Sequence, residues 1–375
     1  MNTLILGGGH SEYPIVKSLI NQNVNLTTVG TKCYYKIPLE SHVFADYSNP
    51  DIVTNICKVR KIQKIISGCN DFAAINAALV AEKLGLIHDI SYKNALEIHN
   101  KHLWASTFQE LSIPLPKFEK IEYKQNEKIN LFQNWSTQES VIVKPVDMTG
   151  GKGIVLTDIS TLKNNFDLSR NISRQNKFLV QEFFEGTLHS ALTISSQNRY
   201  VTYFADEEID EFFVVRTATM PSNLKKTIKS EIKRVIRKYL NHLKIENGIF
   251  HIQFIVNGDY FKIIDICARP PGDLFYLILK YQFSFDFAQY WTNPNQTLLP
   301  RHVKNVSNYV VRHVLNLDRR LDEKFKGNII SEFDILYHDY HKSEAESYGK
   351  IVFLSFGKIS ELEKFKETEK INLYS

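Results

Sequence analysis

Lys144 closes an apolar run, Val141-Ile142-Val143, and is followed at once by Pro145-Val146-Asp147-Met148-Thr149-Gly150-Gly151-Lys152-Gly153-Ile154. An ammonium at the end of a buried strand is costly unless an anion meets it. Three glycines in the next loop let backbone N–H groups close on phosphate oxygens without interference from a Cβ. Together these features point to phosphate binding, with a plain hairpin tip carrying a surface lysine as the alternative. The loop is not a Walker A motif, since Lys152 is followed by Gly153 and not by Ser or Thr, and no glycine stands five positions before Gly151.

A second constellation runs from Phe250-His251-Ile252-Gln253-Phe254 through Asn257-Gly258-Asp259 to Ile264-Asp265-Ile266-Cys267-Ala268-Arg269-Pro270-Pro271-Gly272-Asp273. Asp265 and Arg269 are charges set in an apolar strand and at its end, where charges are rarely buried without a partner or a metal. If residues 257–259 form a three-residue hairpin loop, Gln253 faces Ile263, His251 faces Asp265, and His251, Gln253, Asp265 and Cys267 share one face. A two-residue turn would put Gln253 and Asp265 on opposite faces. A His/Cys/Asp face could suit a softer metal, although zinc sites usually show more thiols or histidines. Two other stretches are weaker. Residues 178–186 read as a strand entering a turn at Gly186. Gly7-Gly8-Gly9 begins a dinucleotide fingerprint, but Glu12 holds the third glycine position and Val29-Gly30-Thr31 supplies no acid at the end of the next strand.

These residues need a scaffold, and the pattern is that of an α/β protein. Up to about residue 95, strand signals at 3–6, 24–29 and 64–67 alternate with helices through Ile15, Val16, Leu19 and Ile20, around 52–59, and through Ala73, Ala74, Ala77, Ala78 and Ala81 after an Asn70-Asp71 cap. Lys101 opens a further helix that ends before Ile113-Pro114-Leu115-Pro116. Strands are then predicted at 140–144, 177–182, 190–195, 200–205, 212–216, 248–256 and 260–266, with one amphipathic helix over 224–243. The tail from about 299 holds a strand signal at 351–356 and a closing helix from Ser360.

Composition excludes several classes. Net charge is +5, and lysines such as Lys225, Lys226, Lys229, Lys233 and Lys238 are spread out with no aromatic platform, so no nucleic-acid partner is expected. No apolar stretch approaches the roughly 20 residues a spanning helix needs, and the start lacks a basic n-region. Cys33, Cys57, Cys69 and Cys267 form no C-x-x-C pair, so reduced thiols are the default. The expectation is a cytoplasmic protein with no membrane partner.

Order and spacing of these motifs resemble the ATP-grasp superfamily of carboxylate–amine ligases over residues 1 to about 290, most closely members whose last motif ends Arg-x-x-Gly-Asp, a group that includes amino-acid ligases. The resemblance implies a Rossmann-like pre-ATP-grasp domain at 1–95 and an ATP-grasp domain at 96–290, the latter built from α+β subdomains at about 115–185 and 186–290. A small C-terminal α+β region at 291–375 completes the chain. Lys101 and Lys144 would neutralise ATP phosphates, and Thr149, Gly150, Gly151, Lys152 and Gly153 would fold over them. Gln181, the Glu182 carbonyl and the Phe184 amide would contact adenine. Leu188 stands where the family commonly has a ribose-binding Glu, so Glu185 or His189 would substitute. Gln253 and Asp265 would hold Mg2+, with Mn2+ as the other candidate cation. Arg269, Gly272 and Asp273 would bind substrate, with Arg269 and Lys144 catalytic. The family usually has Glu, Glu and Asn where this chain has Gln253, Asp265 and Cys267. The resemblance implies an enzyme joining a small carboxylate to an amine with release of ADP and phosphate, and is compatible with a homodimer. A degenerate nucleotide binder without turnover and a nicotinamide oxidoreductase stand as alternatives.

Overall fold

The structure, a computed structural model, describes residues 1–9, 11–33, 37–122, 135–136, 138–148, 150–162, 169, 171–209, 213, 215–273, 275–283, 285–286, 290–291, 309–316 and 350–357. The chain begins with a parallel sheet of β1 (Asn2–Leu6), β2 (Asn25–Gly30), β3 (His42–Phe44) and β4 (Lys64–Ser67), ordered β3-β2-β1-β4. Parallel neighbours need crossovers, which here include α1 (Tyr13–Asn21) and α2 (Pro50–Val59). Alternate residues of β1 serve two cores. Ile5 packs with Ile15, Val16 and Leu19, whereas Leu4 and Leu6 pack with Val53, Cys57, Ala73 and Ala77. α3 (Asp71–Leu84) starts where the Asn70 side chain accepts the Ala73 N–H and stops at Gly85, whose φ of 66° a side chain would resist. Its first residue, Asp71, thereby lies just beyond the end of β4.

α4 (Tyr92–His99) and α5 (Lys101–Glu110) meet at Asn100, whose side chain accepts the His102 and Leu103 N–H groups and so makes Lys101 the first residue of α5. A small antiparallel sheet follows, built from β5 (Phe118–Glu122), β6 (Ser140–Pro145), β7 (Val155–Asp158) and β8 (Lys177–Glu182) in the order β5-β8-β6-β7. Val141, Val143, Phe178 and Val180 turn to its own core, which leaves Ile142, Lys144 and Gln181 on the other face.

The largest sheet is antiparallel: β9 (Thr187–Ser196), β10 (Arg199–Ile209), β11 (Val215–Met220), β12 (Gly248–Asn257), β13 (Tyr260–Cys267), β14 (Tyr309–Asn316) and β15 (Lys350–Gly357), ordered β13-β12-β9-β10-β11-β14-β15. α6 (Lys226–His242) buries the predicted stripe of Ile228, Ile232, Val235, Ile236 and Leu240 in one cluster with Phe250, Ile252 and Phe254. α7 (Phe275–Phe283) places Phe275 and Tyr276 against Ile5 and Ile15.

Several elements depart from the sequence reading. β3, β5, β7, β14, α4 and α7 are additional to the predicted elements, and the strand predicted at 212–216 is instead Val215–Met220. β10 runs past residue 205 to Ile209, which carries Glu207 and Glu208 to the cleft described below. The helix predicted from Ser360 lies outside the described residues. Among the described residues, no helix is long and apolar enough to cross a membrane.

Candidate active site

A cleft of about 930 Å³ lies between the two antiparallel sheets and is walled at one end by Ser11 and Cys69 from the parallel sheet's loops. Lys144 and Lys101 both line it, and each is only 6% exposed. Lys144 donates to the Ile264 carbonyl at 3.0 Å, and Lys101 donates to the Met148 carbonyl at 3.2 Å while its Nζ stands 3.9 Å from Asp265 Oδ1. Burial drives the Lys144 pKa down to about 8, with Lys101 adding to the fall and Asp265 opposing it. Lys101 also sits in the first turn of α5, where the helix dipole disfavours a cation. Two cations held this way call for an anion in the space between them.

The glycine loop bounds the same space. Gly150, Gly151 and Gly153 have φ of 64°, 77° and 74°, a region that other residues enter at a cost. Gly150, Gly151 and Lys152 line the cleft; Gly153 does not, and a Cβ on it would come within 2.8 Å of Pro145 Cγ. Thr149 lies outside the described residues.

Deeper in the cleft, Ile142, Phe183, Phe184, Leu188 and Ile255 form an apolar slot. Lys262 forms an ion pair with Glu182 and sits 4.7 Å from the centre of the Phe184 ring, which fixes that ring. Gln181 is 1% exposed, and neither its amide nitrogen nor its amide oxygen has a hydrogen-bond partner among the described residues. It shares the Ile142 face, directly opposite Ile142 in the ladder. Gln181 itself does not line the cleft. Neither residue expected near the ribose lines the cleft. Glu185 is exposed, and His189 is buried, with Nδ1 2.8 Å from Asp206 Oδ1 and Nε2 2.7 Å from Thr187 Oγ1.

The hairpin of β12 and β13 gathers the expected face by an unexpected route. Its turn is the two-residue Gly258-Asp259, with Asn257 opposite Tyr260, a register that by itself would put Gln253 and Asp265 on opposite faces. A bulge after Phe254 and Ile263 skips Ile264, so Gln253 pairs with Asp265 and His251 with Cys267. All four residues therefore do share a face, but the pairings predicted from a three-residue loop are replaced. Gln253 Nε2 donates to Glu207 Oε2 at 2.8 Å, which leaves Oε1 as the atom it can offer a cation. Asp265, with 45% of its side chain exposed, offers its carboxylate to the cleft.

These are hard oxygen donors, suited to Mg2+ held jointly by one or two protein groups and substrate phosphates. Burial pushes the Cys267 thiol up to about 12 and the Cys69 thiol well above its ordinary range, so neither is a thiolate near neutral pH. Among the described residues no three His, Cys, Asp or Glu side chains gather to hold a metal. The softer His/Cys/Asp site considered from the sequence is thus not formed.

Arg269 lines the cleft with only 11% of its side chain exposed. Its Nε donates to Asp71 Oδ1 at 2.7 Å and its Nη1 to the Pro270 carbonyl at 3.1 Å. The acid is thus neither Asp265 nor Asp273, the partners that proximity in sequence suggests. Burial would raise the Asp71 carboxyl, but Arg269 and His99, whose Nδ1 lies 3.0 Å away, hold it well below the usual carboxylate range. Gly272 and Asp273 also line the cleft; Ser11 Oγ donates to the Gly272 carbonyl at 2.5 Å, and Asp273 Oδ1 accepts the Phe275 N–H at 3.1 Å.

The glycine turn after β1 is already filled by the chain's own carboxylate. Glu12 Oε2 accepts the Gly9 N–H at 2.9 Å and Oε1 accepts the Cys69 N–H at 2.8 Å. A Cβ on Gly7 would lie 2.5 Å from Glu12 Cγ, so the glycine makes room for this carboxyl side chain. Burial raises the Glu12 pKa, and the two N–H donors oppose the rise. A dinucleotide pyrophosphate would have to displace this carboxylate, which removes the structural basis of the nicotinamide alternative.

Comparison with known proteins agrees with this geometry. Residues 98–273 match the ATP-grasp domain. No curated protein matches the chain in sequence. An N5-carboxyaminoimidazole synthetase from Staphylococcus aureus, solved with ADP, shares the fold with a TM-score of 0.76 at 16% identity, covering 98% of this chain and 96% of that one. The L-amino acid ligase from Bacillus licheniformis gives 0.73 at 15% identity over 98% and 96%. Phosphoribosylglycinamide synthetase from Anaerococcus prevotii gives 0.67 at 16% identity over 99% and 98%. The chain therefore carries an ATP-grasp domain within a mixed α/β fold that these ligases share along nearly their whole length.

Proposed function

We propose that this protein is an ATP-dependent ligase that activates a carboxylate as an acyl phosphate and couples it to an amine, releasing ADP and phosphate. The observation that carries the reading is the convergence of two buried lysines, Lys101 and Lys144, with Asp265 beneath a loop of left-handed glycines. A triphosphate answers the charge of both buried lysines at once. The apolar wall of Ile142, Phe183, Phe184, Leu188 and Ile255 then receives the base.

In this reading Lys101 and Lys144 hold the phosphates, and Asp265 with the Gln253 amide oxygen faces the divalent cation. When bound, Mg2+ neutralises charge on the phosphates and leaves the γ-phosphorus open to attack. Arg269, anchored through Nε to Asp71 and through Nη1 to the Pro270 carbonyl, presents Nη2 to the substrate carboxylate. The carboxylate oxygen attacks the γ-phosphorus and ADP leaves with the bonding pair. The amine then attacks the acyl carbon, and phosphate departs as the amide forms. No protein nucleophile is required, so catalysis is positioning and charge neutralisation. The protonated states of Cys69 and Cys267 agree with this.

A screen for ADP release across pairs of amino acids and other small amines, with Mg2+ and then Mn2+, tests the reading. Substrate-dependent ADP is expected, and Lys144→Ala is expected to abolish nucleotide binding while the melting temperature holds. ATP affinity unchanged in Lys144→Ala would show that the phosphates lie elsewhere.

A further inference from the structure

We propose that Glu207 is a positioning residue of this site: it fixes which end of the Gln253 amide meets the cation and supplies the negative charge that Gln253 lacks. The proposal rests on reading the cleft as a metal–nucleotide site. Glu207 lies near the end of β10, is 6% exposed and lines the cleft. β9 stands between β10 and β12, with Ser190 opposite both Ala205 and Gln253. Glu207, two residues beyond Ala205, therefore shares the face of Gln253 and Asp265.

An amide has a donor end and an acceptor end, whereas an ionised carboxylate only accepts. The 2.8 Å bond from Gln253 Nε2 to Glu207 Oε2 thus fixes the amide's orientation. Oε1 is turned away from Glu207 and is the only end that attracts a cation. Without a carboxylate at 207 the amide can turn its NH2 group to the metal, which repels it. The charge matters as well. Asp265 carries one negative charge for a divalent cation, and Glu207 adds a second at one hydrogen bond's remove. Exchange of the two residues, with Gln at 207 and Glu at 253, would keep the charge and the hydrogen bond and only reverse the donor.

The test uses the full chain and Mn2+ as the probe. Free Mn2+ is measured by electron paramagnetic resonance in the presence of β,γ-imido-ATP, for the wild type, Glu207→Gln, Gln253→Glu and the double exchange. Loss of a partner that orients a metal ligand typically weakens metal binding by about 10–100-fold, and that is the expected effect of Glu207→Gln. The double exchange is expected to return Mn2+ binding close to the wild-type value. Gln253→Glu alone sets two carboxylates against each other, so its metal-free form should melt lower and recover when Mn2+ is added. Mn2+ binding in Glu207→Gln equal to wild type, or a double exchange as weak as Glu207→Gln, overturns the role of Glu207. If wild-type nucleotide binding proves indifferent to Mn2+, the metal–nucleotide reading itself falls, and this inference with it.

Discussion

On the proposed reading, Lys144 makes nucleotide binding a proton-coupled event. Burial leaves its ammonium with a pKa of about 8 in the free protein, against about 10.4 for an unperturbed lysine. That difference corresponds to a cost of about 3 kcal/mol for holding the charge in the empty cleft. The unfolded chain binds this proton more tightly, so the free protein bears the full cost below pH 8 and gains stability as pH rises from about 8 toward 10.4. Triphosphate reverses the sign, because its charge stabilises the ammonium and raises the pKa of the bound form. ATP affinity is therefore expected to be level below pH 8 and to fall by about tenfold per pH unit at higher pH. Binding should take up about 0.5 proton at pH 8 and about 0.9 at pH 9. Phosphate ionisations near pH 6 are complete there and do not interfere. Calorimetry in buffers of different ionisation enthalpy reads the uptake directly. Lys144→Arg keeps the charge at every accessible pH, so its uptake should vanish. No uptake by the wild type at pH 9, or equal uptake in Lys144→Arg, would refute the reasoning.

Two further outcomes concern Arg269 and Glu12. Arg269→Lys keeps a cation but loses the planar fork and the Nε bond to Asp71, so ATP should bind within a few-fold while substrate-dependent ADP release falls on the order of 100-fold; turnover that survives while thermal stability drops would make Arg269 a strut between Asp71 and Pro270. Glu12→Ala leaves the Gly9 and Cys69 N–H groups without their acceptor, at roughly 1–3 kcal/mol for each buried group, and an unchanged melting temperature would show that water replaces the carboxylate at no cost.

Much of the scaffold was legible because local rules agreed. The helix of Ala73, Ala77 and Ala81 has a capping Asn70 and a stopping Gly85, and the stripe of α6 repeats at helical spacing. The strand ending in Lys144 was legible because a lysine there contradicts the burial around it. What escaped depends on contacts distant in sequence. The bulge that skips Ile264 leaves no signature in the run Ile263-Ile264, so register could not be counted from the turn alone. Asp71 lies 198 residues from Arg269, and nothing near either residue names the other. Glu207 lies beyond the strand predicted at 200–205, and only the ladder through β9 brings it beside Gln253. Glu12 was read as a defect in a glycine fingerprint. In the fold it is the acceptor around which the turn closes.

The central claim is that the γ-phosphoryl group passes to a carboxylate. Amino acids labelled with ¹⁸O in their carboxyl groups, incubated with the protein, ATP, Mg2+ and a pool of amines, report this through the mass of the inorganic phosphate released. The account predicts phosphate carrying one ¹⁸O atom, in proportion to the ADP and amide formed and absent in Lys144→Ala. ADP accompanied only by unlabelled phosphate, or no ADP from any pair although nucleotide binds, would contradict it.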